Sequence, residues 1–130
     1  MARSGRAGVL ERALEAGFNG EVDALPELFT GDVSGWSPNM LVSSLEELVE
    51  AVAERDESLS NVSLQIDVLD VVGNKGYVEY RVNAVFSGPF TVDDETVIEP
   101  NGRELLLGGV IVAEFDGDKV SAFRNYFDNA

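Results

Sequence analysis

Glu79, Arg81 and Asn83 recur at every second position of one extended stretch, Tyr77–Phe86. Side chains two apart on a strand point to the same side. A carboxylate, a guanidinium and an amide therefore form one line, and this is the sequence's best constellation for chemistry. Sufficient desolvation would make Glu79 a general base; pairing with Arg81 would instead hold it as a structural ion pair. Asn83 can orient water or a carbonyl but cannot carry a proton at neutral pH. Near the C-terminus, Asn125 stands between Phe123 and Phe127 at the same spacing. It reads either as a polar group in an apolar pocket or as a core amide bonded to a backbone carbonyl.

The 130 residues include no histidine and no cysteine. That excludes histidine-based triads, thiolate nucleophiles and zinc sites of the Cys/His type. Acid–base work falls to Asp, Glu, Tyr, Lys or water held by Arg. The catalytic candidates are therefore Glu79, Arg81, Asn83 and Asn125. Trp36, Tyr77, Phe123 and Phe127 are the candidates for ligand contact, with Trp36 either a pocket wall or a core aromatic. Tyr77 and Tyr80 can donate hydrogen bonds or simply pack. Asp32 reads as a turn residue or a pocket-mouth acid. Asp93-Asp94-Glu95 is a run of three acids, but no calcium-loop spacing follows it, so it reads as a solvated, mobile loop able to gate the pocket rather than a hard-cation site. No metal and no cofactor is implied.

These residues need a scaffold. Val9, Leu10, Ala13 and Leu14 recur at helical spacing and predict a first helix over Gly8–Gly17, stopped by Asn19-Gly20. A short helix with Pro26 in it follows over Glu21–Phe29, and then an extended segment, Gly31–Trp36. Ser44 with Glu47 forms a capping box, with Ser43 and Glu46 as the alternative register, and Leu45, Leu48, Val49 and Val52 give the third helix its stripe. Four long strands come next: Val62–Val72, Tyr77–Phe86, Arg103–Phe115 and Lys119–Phe127. Helices first and strands later argue an α+β fold in one domain over 1–130.

The strand Arg103–Phe115 is apolar on both sides, with Leu105, Leu107 and Ile111 on one and Leu106, Val110 and Val112 on the other. An antiparallel strand of that kind is expected to be covered on both faces. Three helices cover one, so a second copy is expected on the outer face, where Tyr80, Val82 and Phe86 would suit it. The polar line Glu79–Arg81–Asn83 would then point inward. The net charge of −15 argues against nucleic acid as a partner. No apolar run approaches the ~18 residues of a spanning helix, and Val9-Leu10 is too short for a signal-peptide core, so a cytoplasmic protein is expected.

The run Glu114-Phe115-Asp116-Gly117-Asp118-Lys119-Val120 through Phe123-Arg124-Asn125-Tyr126-Phe127-Asp128, with Phe29-Thr30-Gly31-Asp32 and Trp36-Ser37-Pro38, resembles SnoaL-like polyketide cyclases and limonene-epoxide hydrolases of the nuclear-transport-factor-2-like superfamily. The resemblance implies a curved, cone-shaped, mostly antiparallel sheet packed on three N-terminal helices, as in cystatin-like folds, with a deep pocket and commonly a dimer. It also implies an Arg-x-Asp on the middle strand and an Asp after an Arg on the last. Here Arg81-Val82-Asn83 and Arg124-Asn125 carry Asn in both places. The resemblance therefore points to a protein that binds a small, largely apolar organic molecule, with isomerisation, cyclisation or hydration as the conversions left open. The alternative is a non-catalytic binding or dimeric scaffold protein with a degenerate site.

Overall fold

A computed structural model of the chain describes residues 3–38, 40–87, 90–91, 97–98 and 104–129. Helix α1, Gly5–Asn19, buries Leu10, Ala13, Leu14 and Ala16. It ends where Gly20 turns left-handed at φ 73° and returns its N–H to Ala16. Glycine suits this left-handed backbone, which side chains rarely adopt, and a Cβ there would also press on the exposed Asp56 side chain at 2.3 Å. A 3-10 turn, Val22–Ala24, runs into helix α2, Leu25–Leu28, with Pro26 in its first turn. The single helix expected over Glu21–Phe29 is thus two short pieces.

Strand β1 spans Phe29–Ser37 and strand β2 Met40–Val42. No sequence signal marks β2, whose three residues are too few to show a period. Helix α3, Leu45–Ser58, starts on the expected cap: the Glu47 N–H donates to Ser44 Oγ at 3.1 Å. The Glu47 carboxylate accepts from the Ser43 N–H at 3.2 Å, closing the motif one residue earlier than the usual box.

The long strands are β3, Leu59–Val72, and β4, Lys75–Phe86. A small two-stranded ladder follows, β5 (Phe90–Thr91) with β6 (Val97–Ile98). The last two strands are β7, Glu104–Asp116, and β8, Lys119–Asn129. The acidic run Asp93-Asp94-Glu95 lies outside the described residues.

The main sheet has the order β2-β1-β8-β7-β4-β3. All neighbours are antiparallel except β1 and β8, which run parallel. The first strand thus lies beside the last, while β3 forms the far edge. The β3–β4 register shifts between Ser60 and Ser63 and again between Ile66 and Val68. Such shifts bend a strand and increase its twist, which curves the sheet around the helices. Fold class is as the resemblance implied: α+β, with three helices on the concave face of a curved, unclosed mixed sheet.

The core fixes which face is concave. Val78, Tyr80, Val82 and Ala84 of β4 are each 2% exposed or less, and they pack with Leu10, Leu14, Leu25, Leu48, Val52, Ala113 and Phe115. The inward placement of Glu79, Arg81 and Asn83 is corrected by this: all three are on the convex face and exposed. Tyr80 and Val82, expected outside, are inside. Burying the apolar face releases hydration free energy of roughly 25 cal/mol per Å², whereas an enclosed carboxylate or guanidinium would lose its water. The two-sided apolarity of β7 misled the assignment. Its convex residues are left partly open rather than covered by this chain, Leu106 at 51% and Val110 at 39% exposure.

Candidate functional site

Between α1, α3 and the concave face lies a cavity of about 80 Å³. Its walls are apolar: Leu14, Phe18, Met40, Val52, Ile111 and Phe123 are among them. Two polar side chains reach it, Arg55 from the last turn of α3 and Asn125 from the middle of β8. The cavity is well below the ~300–1,000 Å³ typical of ligand pockets, and smaller than the ~150 Å³ apolar hole known to admit benzene. The deep pocket that the resemblance implied is narrowed by the side chains of Phe18, Phe123 and Arg55. Two of the wall residues, Met40 and Phe18, are only half-buried, and methionine adapts readily to a new shape.

Asn125 is anchored across two strands. The Tyr80 hydroxyl on β4 donates to Asn125 Oδ1 on β8 at 2.6 Å. Strand β7 lies between them, and Gly109 makes the crossing possible. A Cβ on Gly109 would sit 2.6 Å from the Tyr80 hydroxyl oxygen and 2.7 Å from the Tyr126 carbonyl oxygen. Burial pushes the Tyr80 phenol above its ordinary pKa, against smaller opposing effects from Asn125 and Arg55. The hydroxyl therefore stays protonated and acts as a donor, not a base. With Oδ1 engaged, the Asn125 amide nitrogen keeps its two N–H groups, and no described residue accepts from it.

Arg55 was not among the sequence-derived candidates, because a charged residue in the last turn of a surface helix is expected in solvent. Its guanidinium instead lies over the Phe18 ring, 4.9 Å from the centroid, and Nη2 donates to the Gly17 carbonyl. Phe18 in turn stacks on Tyr80 at 5.1 Å. Among the described residues no carboxylate is within ion-pair distance of Arg55. Desolvation lowers the Arg55 pKa, with Tyr80 and Asp56 acting against it. A signal was available: Arg55 falls three residues after Val52, ten after Leu45, and so borders the apolar stripe.

The sequence-derived candidates divide sharply. Asn125 and Phe123 line the cavity, and the Phe123 ring also meets Phe29 edge-on at 6.0 Å. A Cβ on Gly35 would lie 2.2 Å from the Phe123 ring, so the bare backbone of β1 makes room for it. Phe127 shares the concave face opposite Gly109 but lines a separate open depression of about 510 Å³ with Asp67, Glu79 and Tyr126. Trp36 and Tyr77 are corrected as ligand contacts: both are on the convex face, 39% and 42% exposed. Trp36 packs on Tyr126 there, with ring centroids 5.2 Å apart.

The Glu79–Arg81 pair is not made either. A register bulge brings Asp67 of β3 to Arg81, which binds it through Nε at 2.9 Å and Nη2 at 3.0 Å. The same hydrogen bonds hold the Asp67 carboxyl below its usual range. Asn83 and Asn125 are on opposite faces of the sheet, so they cannot act on one substrate as the aspartates of limonene-epoxide hydrolases do. No Asp or Glu lines this cavity among the described residues.

This architecture is the nuclear-transport-factor-2-like fold, in the form shared by SnoaL-like polyketide cyclases. A proposed SnoaL-like polyketide cyclase from Jannaschia sp. CCS1 superposes with a TM-score of 0.78 at 19% identity, over 98% of this chain and 91% of that one. A SnoaL-like polyketide cyclase from Agrobacterium tumefaciens gives 0.76 at 11% identity, over 97% and 93%. A Catenulispora acidiphila protein of ketosteroid-isomerase-like fold, solved with trimethylamine, gives 0.68 at 15% identity, over 91% and 83%. No family model matches the sequence, and no curated protein does. No helix among the described residues is long and apolar enough to cross a membrane.

Proposed function

We propose that the protein binds a small, largely apolar organic molecule, or the small oxygen-bearing end of a larger one, in the cavity between α1, α3 and β8. The convergence of Arg55 and the Tyr80–Asn125 pair on an otherwise apolar hole carries this reading. Apolar walls supply affinity, and a few placed donors fix orientation. The donors suit an oxygen atom that accepts hydrogen bonds. A described cavity wall without a carboxylate favours binding, or polarisation of a carbonyl, over proton abstraction. The likeness to polyketide cyclases supports a small-molecule role in general terms.

Nuclear magnetic resonance tests this directly. Butanone, cyclopentanone, 1,2-epoxybutane and butyramide are titrated against labelled protein. At least one is expected to shift the Asn125 side-chain amide and the Phe18 and Phe123 rings together. Ala51→Leu, which adds three carbons at the cavity wall, is expected to abolish the shifts. Silence of these groups with every compound overturns the proposal.

A second role rests on a separate observation. Trp36, Leu41, Tyr77, Val110 and Tyr126 lie exposed on the convex face, and their strand pairings join them in neighbouring rows. An apolar area of this kind marks an interaction surface. We assign it to a second copy of the chain, packed face to face. Light scattering at micromolar concentration is expected to give twice the mass of 14.0 kDa. Tyr126→Glu is expected to return the monomer, by placing a charge in the seam. A monomeric parent protein would refute the assignment.

A further inference from the structure

We infer that the cavity takes the carboxylate of a small organic acid against the guanidinium of Arg55. This rests on the small-molecule reading above and adds to it the charge of the ligand. The guanidinium has five N–H donors and no acceptor of its own. One described acceptor meets it, the Gly17 carbonyl in the last turn of α1. That carbonyl carries part of the negative end of the helix dipole, equivalent to about half a charge shared over the turn. The Phe18 ring face adds a second, weaker attraction.

Neither partner is a full negative charge. A partly buried cation among apolar walls gains from a matching charge, and the described cavity wall offers no carboxylate to supply it. A neutral ligand would leave that deficit in place. A carboxylate would remove it, since its two oxygens fit the planar guanidinium fork. The Asn125 amide lines the same cavity and can give a further N–H to the ligand, held in orientation by the Tyr80 hydroxyl. The protein's overall charge of −15 opposes long-range approach of an anion, but salt screens exposed charges beyond a Debye length of ~8 Å. The guanidinium acts at contact.

Butyrate and butyramide form the test, being nearly equal in shape and different in charge. Isothermal titration at pH 7 is expected to show butyrate binding at least tenfold more tightly than butyramide. Arg55→Met is expected to bring the ratio near one, and Arg55→Lys to keep butyrate the tighter ligand. Equal binding of both compounds by the parent protein overturns the inference and leaves the small-molecule reading standing. Binding of neither, with the neutral panel also silent, overturns both. Should Arg55→Met fail to fold, the parent ratio and Arg55→Lys decide the matter. If Arg55 only caps α1, Arg55→Met lowers the melting temperature and leaves the ratio unchanged, which also overturns the inference.

Discussion

Gly109→Ala is expected to lower the unfolding free energy by about 1–3 kcal/mol, the usual cost of overpacking a filled interior. Gly108→Ala, one residue away, is expected to stay within about 0.5 kcal/mol of the parent. The difference comes from the two faces of β7. A Cβ on Gly108 meets nothing within 4 Å on the convex side. A Cβ on Gly109 falls 2.6 Å from the Tyr80 hydroxyl oxygen and 2.7 Å from a backbone carbonyl of β8. The hydroxyl can swing away, but the carbonyl belongs to the ladder and cannot move without its strand. Urea denaturation of the two variants measures the difference. Equal stabilities would show that Tyr80 does not lie across β7.

Tyr80→Phe is the companion experiment. It keeps the ring on Phe18 and removes the donor to Asn125 Oδ1. Leaving a half-buried amide oxygen unpaired costs about 1–3 kcal/mol. Adding Asn125→Leu removes the other partner, and the double variant is expected to recover most of that loss. The two substitutions are therefore expected to be non-additive, as for any pair in direct contact. A double-mutant cycle in urea reads the coupling, and strict additivity would sink the proposed hydrogen bond. Tyr80→Phe also frees Asn125 to rotate, so ligand-induced shifts of its side-chain amide are expected to broaden.

Local signals in the sequence carried much of the architecture. The Ser44–Glu47 cap, the stripe of α3 and the stop at Gly20 each depend on residues within one or two turns of one another, so local patterning reveals them. The hairpin turns at Gly73 and Gly117 are equally local, each placing a glycine at positive φ. Strand β2 was not, being held only by its pairing with β1.

For the candidate site, alternation determined that Glu79, Arg81 and Asn83 share a face and that Phe123, Asn125 and Phe127 share another. It could not say which face the helices cover. A period of two is blind to inside and outside when both faces hold apolar residues, as in β7. Only the tertiary packing decided that, through the burial of Val78, Tyr80 and Val82 beneath the helices. Packing also turned Arg55 inward, and a side chain missing at Gly109 let Tyr80 reach a strand two places away. Those contacts join residues dozens of positions apart, where no local pattern records them.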